Sequence, residues 1–128
     1  MSAVVDASAL LEAWLCNDAD ELRARLADES LHAPQHLHVE VANVLRRQRN
    51  AGLLTPEKAE QAYREILSAP VQLWPFRTVA DRVWELGTNA TSYDAAYLAL
   101  AEHLGADLIT HDAKLERIPG IRCRVDCY

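Results

Sequence analysis

Ala3-Val4-Val5-Asp6 near the start of the chain and Leu108-Ile109-Thr110-His111-Asp112 near its far end decide the fold class. Each is a short apolar run that closes on an aspartate, which suits a strand buried on both faces. Between them, helical patterns alternate with further strands. Ala7 to Leu15 and Asp18 to Asp28 read as helices, with Asn17 or Asp18 able to cap the second. Leu31 to Pro34 reads as another strand. Gln35 to Ala51 is the strongest helix: Leu37, Val41, Val44, Leu45 and Gln48 share one face, and Gly52 closes it. Thr55-Pro56 opens the next helix as cap and first-turn proline, running to about Ser68. Val71 to Phe76 is a strand that Pro75 places near an end. Thr78 to Asn89 is helical, and Ser92 caps a helix from Tyr93 to Leu104 that Gly105 ends. Asp107 to Thr110 is a strand, a short helix starts at Asp112, and Ile121 to Val125 is a last strand. Strands separated by helices pair in parallel, because parallel neighbours need a crossover. The expectation is a three-layer α/β domain with a mostly parallel sheet of about four to five short strands flanked by helices.

The chain has 128 residues, half of them hydrophobic, enough for one domain that folds without disulfide or metal staples. Thirteen basic against nineteen acidic residues leave a net charge of −6, which argues against holding nucleic acid by a broadly basic surface. Met1 to Asp6 has neither the basic nor the apolar region of a signal peptide, and no apolar run approaches the ~20 residues that span a bilayer. Cys16, Cys123 and Cys127 fit no zinc pattern and read as reduced thiols. His32, His36 and His38 cluster without cysteine partners. Residues 1–128 are therefore expected to form a single cytoplasmic domain with no membrane attachment.

Four acids stand out by position. Asp6 and Asp112 each follow a strand, and open α/β sheets bind ligands at the carboxyl ends of their strands. Each is also well placed simply to cap a helix. Asp94 lies in the first turn of a helix whose Ala95, Ala96, Leu98 and Ala99 make it apolar nearly all round, the mark of a buried helix. Its carboxylate then points from a buried element towards a cleft, or gains only from the helix dipole. Glu40 flanks the apolar stripe of its helix with His36, Asn43 and Arg47, so it is either a site residue, paired with Arg47, or solvated. Four acids at one sheet edge repel each other unless a cation binds, and carboxylate clusters suit Mg²⁺ or Mn²⁺.

Four segments resemble the acidic motifs of PIN-domain ribonucleases, in the family's order. They are Val4-Val5-Asp6-Ala7-Ser8-Ala9-Leu10, Glu40-Val41-Ala42-Asn43-Val44-Leu45, Ser92 to Ala101, and Leu108 to Asp112. The compact length is most similar to VapC-type toxins of bacterial toxin–antitoxin pairs. The resemblance implies that Asp6, Glu40, Asp94 and Asp112 are the metal-binding acids, with Asp6, Asp94 and Asp112 ligating and Glu40 ligating or orienting the nucleophile. It implies that Ser8, Asn43 and Thr110 support the site. It also implies a homodimer and an antitoxin partner gripped by the segment from Gln35 to Ser68.

The expected reaction is hydrolysis of RNA by metal-activated water, with Arg46, Arg47 and Arg49 as possible RNA contacts or simply a solvated helix face. A rival aspartyl-phosphate enzyme needs a second acid two residues after its nucleophile, where this chain has Ser8. The rival from another class is a non-catalytic partner-binding module whose acids only cap helices. Tyr93 and Tyr97 flank Asp94 and read as core residues, or as rings on which bases stack, and Trp14, Trp74 and Trp84 as core or interface aromatics. Removing four site acids leaves fifteen against thirteen bases, or −2, so most of the acidity is expected at one place.

Overall fold

The computed structural model describes residues 1–128. The first apolar run forms β1 (Ser2–Val5), followed by α1 (Ala7–Leu15), α2 (Asp20–Ala27) and β2 (Ser30–Pro34). Next come α3 (Leu37–Asn50), α4 (Pro56–Ser68) and β3 (Val71–Trp74). A 3-10 turn at Phe76–Thr78 leads into α5 (Ala80–Leu86), then α6 (Ser92–Leu104) and β4 (Asp107–Thr110). A second 3-10 turn (Ala113–Arg117) precedes β5 (Val125–Cys127).

The five strands pair in the order β3-β2-β1-β4-β5, all parallel. Central β1 and β4 are buried along Ala3–Val5 and Leu108–Thr110, whereas edge strands β3 and β5 are only partly covered. One group of helices joins α1 to α2, α3 and α4, and a second joins α5 to α6 against β1, β2 and β4. This is the expected three-layer α/β arrangement. Thirty buried residues form one hydrophobic cluster between the layers.

Successive connections run from β1 to β2 and β3 on one side, then cross back to β4 and β5 on the other. The chain therefore diverges between β1 and β4. A crevice opens at such a switch point, just beyond the strands' carboxyl ends. Asp6 and Asp112 lie there.

Local chemistry explains where boundaries match and where they move. Thr55 caps α4 as expected, its hydroxyl accepting from Lys58 N at 3.2 Å with Pro56 in the first turn. By contrast, α2 begins after Ala19, and neither Asn17 nor Asp18 caps it. Arg23 ties that junction instead, donating to the carbonyls of Ala13, Cys16 and Asn17 at 2.8–3.1 Å. The helix expected over Thr78 to Asn89 is shortened. Gly87 stops it where a Cβ would stand 2.9 Å from the Trp84 carbonyl.

Thr91, not Ser92, caps α6, accepting from Asp94 N at 3.1 Å. The last strand starts at Val125 rather than Ile121. The preceding loop is tied to side chains, with Gly120 O accepting from Arg82 and Arg122 N donating to Glu102. Tyr93 is 62% exposed and so is not the core residue expected, and Trp84, 87% exposed, keeps only the interface half of its reading.

Candidate active site

Asp6 follows β1 and caps α1. Its Oδ1 accepts from Ala9 N at 2.9 Å and from Ser8 Oγ at 2.7 Å, while Thr110 Oγ1 donates to Oδ2. Ser8 Oγ also accepts from His111 N, and Thr110 Oγ1 from Asp112 N, both at 3.0 Å. Two hydroxyls thus stitch the end of β1 to the end of β4. Ser8 and Thr110 both hydrogen-bond to the first acid.

Asp112 caps the second 3-10 turn, with Oδ1 accepting from Lys114 N at 3.0 Å. Capping and cleft-facing are therefore compatible for Asp6 and Asp112. Asp94 sits three residues into α6 after its Thr91 cap, half-buried. Glu40, in the first turn of α3, accepts from Tyr97 Oη at 2.6 Å and lies 3.3 Å from His36 Nε2. Neither the pairing with Arg47 nor free solvation describes it.

All four acids line a single cleft of about 640 Å³, together with Ser8, Glu12 and Tyr97. Leu11, Leu15 and Cys16 of α1 and Val44 and Gln48 of α3 form its less polar part. Asn43 is not among them: it is exposed and shares a separate groove with Arg46, Arg47 and Asn50, so its expected support of the site is not seen. Arg46 and Arg49 line a groove between α3 and α4 with Tyr63 and Arg64. The arginine cluster thus lines grooves separate from the acidic cleft.

Two cleft residues escaped the sequence reading. Glu12 is a fifth acid, 3.4 Å from His111 Nε2, and its i,i+4 spacing from Ser8 on α1 was the available signal. Tyr97 contributes a phenol, and nothing local in the sequence ties it to Glu40 across α3 and α6.

The cleft's electrostatics are strained. Burial pushes the Asp6 carboxyl above its usual range despite its hydrogen bonds, and Asp94 pushes it further. Burial raises Asp94 as well, with Asp112 adding to it. Desolvated carboxylates that repel one another are what a bound cation would relieve. The charged groups lining the cleft are all carboxylates, hard oxygen donors that fit Mg²⁺ or Mn²⁺ in kind. As they stand, no three His, Cys, Asp or Glu side chains are grouped closely enough to hold an ion.

The PIN-domain family model matches residues 3–121. The chain belongs to the PIN-domain family. This PIN domain is 36% identical over 124 residues to ribonuclease VapC12 of Mycobacterium tuberculosis, covering 96% of both chains. It resembles the crystal structure of PAE2754 from Pyrobaculum aerophilum with a TM-score of 0.72 at 24% identity, covering 98% of this chain and 83% of the other. It also resembles VapBC2 from Rickettsia felis, solved bound to a promoter DNA fragment, with a TM-score of 0.70 at 14% identity, covering 99% and 98%. Within the family the PIN domain stands among the VapC ribonucleases.

Proposed function

We propose that the cleft between β1 and β4 hydrolyses RNA phosphodiesters with the help of a divalent cation, Mg²⁺ or Mn²⁺, and that Asp6, Glu40, Asp94 and Asp112 carry the reaction. The family supplies the class of activity, a toxin-type endoribonuclease; the roles of individual residues are inferred from their placement. The observation that carries the reading is the convergence of these acids from four separated segments on one cleft at the sheet's switch point. If the acids were only caps, Glu40 would need no place there: it caps nothing, and its partners are Tyr97 and His36.

When bound, the cation supplies Lewis acidity towards the phosphate and lowers the pKa of water. Asp6, Asp94 and Asp112 would hold it, Asp6 being fixed already by Ser8, Thr110 and Ala9. Glu40 orients the attacking water. The apolar wall of Leu11, Leu15 and Val44 accommodates a base, and Arg46, Arg47 and Arg49 contact phosphates farther along the RNA. An antitoxin closes the cleft from the α3–α4 side.

Residues 1–128 act as one nuclease domain, supported by the single core cluster. The three free thiols accord with a reducing cytoplasm, and no helix is long and apolar enough to cross a membrane. A homodimer is supported by exposed Phe76 and Tyr93, which share a groove with His36. Dimer formation should weaken on Tyr93→Lys, read by sedimentation at fixed concentration.

Incubating the purified protein with RNA in Mg²⁺, Mn²⁺ or chelator tests the central reading. Cleavage should require the metal and vanish in Asp6→Asn and Asp94→Asn while the circular dichroism stays native. Variants that cut at the wild-type rate would overturn it. Expression of wild type beside Asp6→Asn, with sequencing of cleaved RNA ends, would name the substrate.

A further inference from the structure

We infer that Tyr97 is a positioning residue for Glu40: its phenol occupies Glu40 Oε1 and commits the carboxylate to act through Oε2 alone. The inference rests on the ribonuclease reading for its catalytic consequence, but its geometry stands independently. Ala95 to Ala101 is an unbroken buried stretch of α6 in which every other residue is alanine or leucine. The Tyr97 hydroxyl is therefore the only side-chain polar atom in that stretch, and the residue is 2% exposed. A buried phenol is held where it finds a partner. Here the partner lies on a different helix, 57 residues away in sequence and 2.6 Å away in space.

Burial and the nearby carboxylates of Glu40, Asp6 and Asp94 push the Tyr97 hydroxyl far above its usual titration range, so it remains a donor at any working pH. His36 lies beside the pair without hydrogen-bonding to it. Its Nε2 stands 3.3 Å from the same Oε1, and its ring packs edge-on against Tyr97 at 5.1 Å and Tyr93 at 5.5 Å. A glutamate on a helix surface samples many rotamers. With Oε1 hydrogen-bonded to the Tyr97 phenol and its flank bounded by the His36 ring, Glu40 is restrained to fewer orientations and keeps Oε2 for water or substrate. Asp94 is one turn earlier on the same helix, so α6 delivers one acid directly and steadies another through Tyr97.

Tyr97→Phe deletes the hydroxyl and keeps the ring. In Mg²⁺ or Mn²⁺ it should lower kcat by roughly 10- to 100-fold, the cost of misplacing a reacting group by about an ångström, with KM for RNA unchanged. On a Glu40→Ala background the same substitution should cost less than about twofold, because nothing is left to position. The rise in melting temperature on adding Mn²⁺ should persist in Tyr97→Phe, since Asp6, Asp94 and Asp112 are untouched. An equal kcat loss on both backgrounds, or loss of the Mn²⁺ shift, would show a general structural role and overturn the inference. The contact is also read without activity. By NMR, metal-free wild type should show a slowly exchanging Tyr97 hydroxyl proton whose resonance moves in Glu40→Gln. If wild type cut no RNA, the ribonuclease reading would fail and this signal would still decide the contact; its absence, or indifference to Glu40→Gln, overturns it.

Discussion

Asp6 is asked to be an anion in a place that disfavours anions. Its folded-state pKa is raised, chiefly by burial, so between the unfolded and folded values the native state holds a proton that the unfolded chain has lost. Stability of the metal-free protein therefore falls as pH rises through that window. Asp94 contributes in the same direction. Asp6→Asn removes the ionisation and keeps an oxygen for Ala9 N. In chelator at neutral pH this variant should melt about 3 °C or more above wild type, an increment that corresponds to roughly 1 kcal/mol. A lower melting temperature would show that the hydrogen bonds of the carboxylate outweigh its desolvation. A cation held by these carboxyls, as proposed, would reverse the sign: metal would compete with protons for them, so an Mn²⁺-induced stabilisation should shrink as pH is lowered through their titration. Thermal melts at several pH values, with and without Mn²⁺, measure it.

At the scale of elements, α6 depends on a cap one residue earlier than its sequence suggests. Thr91 accepts from Asp94 N, so Thr91→Ala should cost about 1 kcal/mol and also loosen the acid that follows, lowering kcat more than Thr55→Ala, which removes an equivalent cap far from the cleft. Equal activity in the two variants would deny the link between cap and site. These two caps also mark what could be read in advance. Thr55-Pro56 declares itself because both signals are local, and α4 has its expected bounds. At α6 two adjacent hydroxyl residues, Thr91 and Ser92, compete for one role, and only the backbone conformation selects between them. β1 and β4 were legible as apolar runs ending in acids, and so were the acids themselves. β5 was misplaced because ties from Arg82 and Glu102, distant in sequence, hold the residues before it. Tyr97 was legible as core, as its burial shows, but its bond to Glu40 was not: burial follows from its neighbours in sequence, the partner only from packing.

Over the whole molecule, Arg25 secures the edge of the sheet nearest the site. It pairs with Glu29 at 3.0 Å and Asp107 at 3.3 Å, contacts Asp126 on β5, and sits within reach of the Tyr128 hydroxyl. Burial disfavours its charge, but Tyr128, Glu29 and Asp126 outweigh it and favour the charged form. Arg25→Met should destabilise the fold by about 2 kcal/mol, since several charge-assisted bonds are lost together, and should free β5 first in hydrogen exchange. Tyr128 N donates to Thr110 O, and His111 Nδ1 faces Tyr128 O, so that fraying should reach the cleft as lost cleavage. Unchanged exchange in β5 would show that the strand's own pairing is sufficient.

The parallel order of the sheet has a consequence for when the enzyme becomes dangerous to its host. Asp6 and Asp112 are brought together only when β4 enters between β1 and β5, a pairing between opposite ends of the chain that local structure cannot anticipate and that folds late. A growing polypeptide can build α1 to α4 and still lack half of its carboxylates. Ribosome-bound chains arrested before β4 should accordingly leave RNA intact, while chains released with β5 paired should cut it. The cleft thus becomes complete only after β4 has been made, which leaves an interval in which the helices exist without the activity.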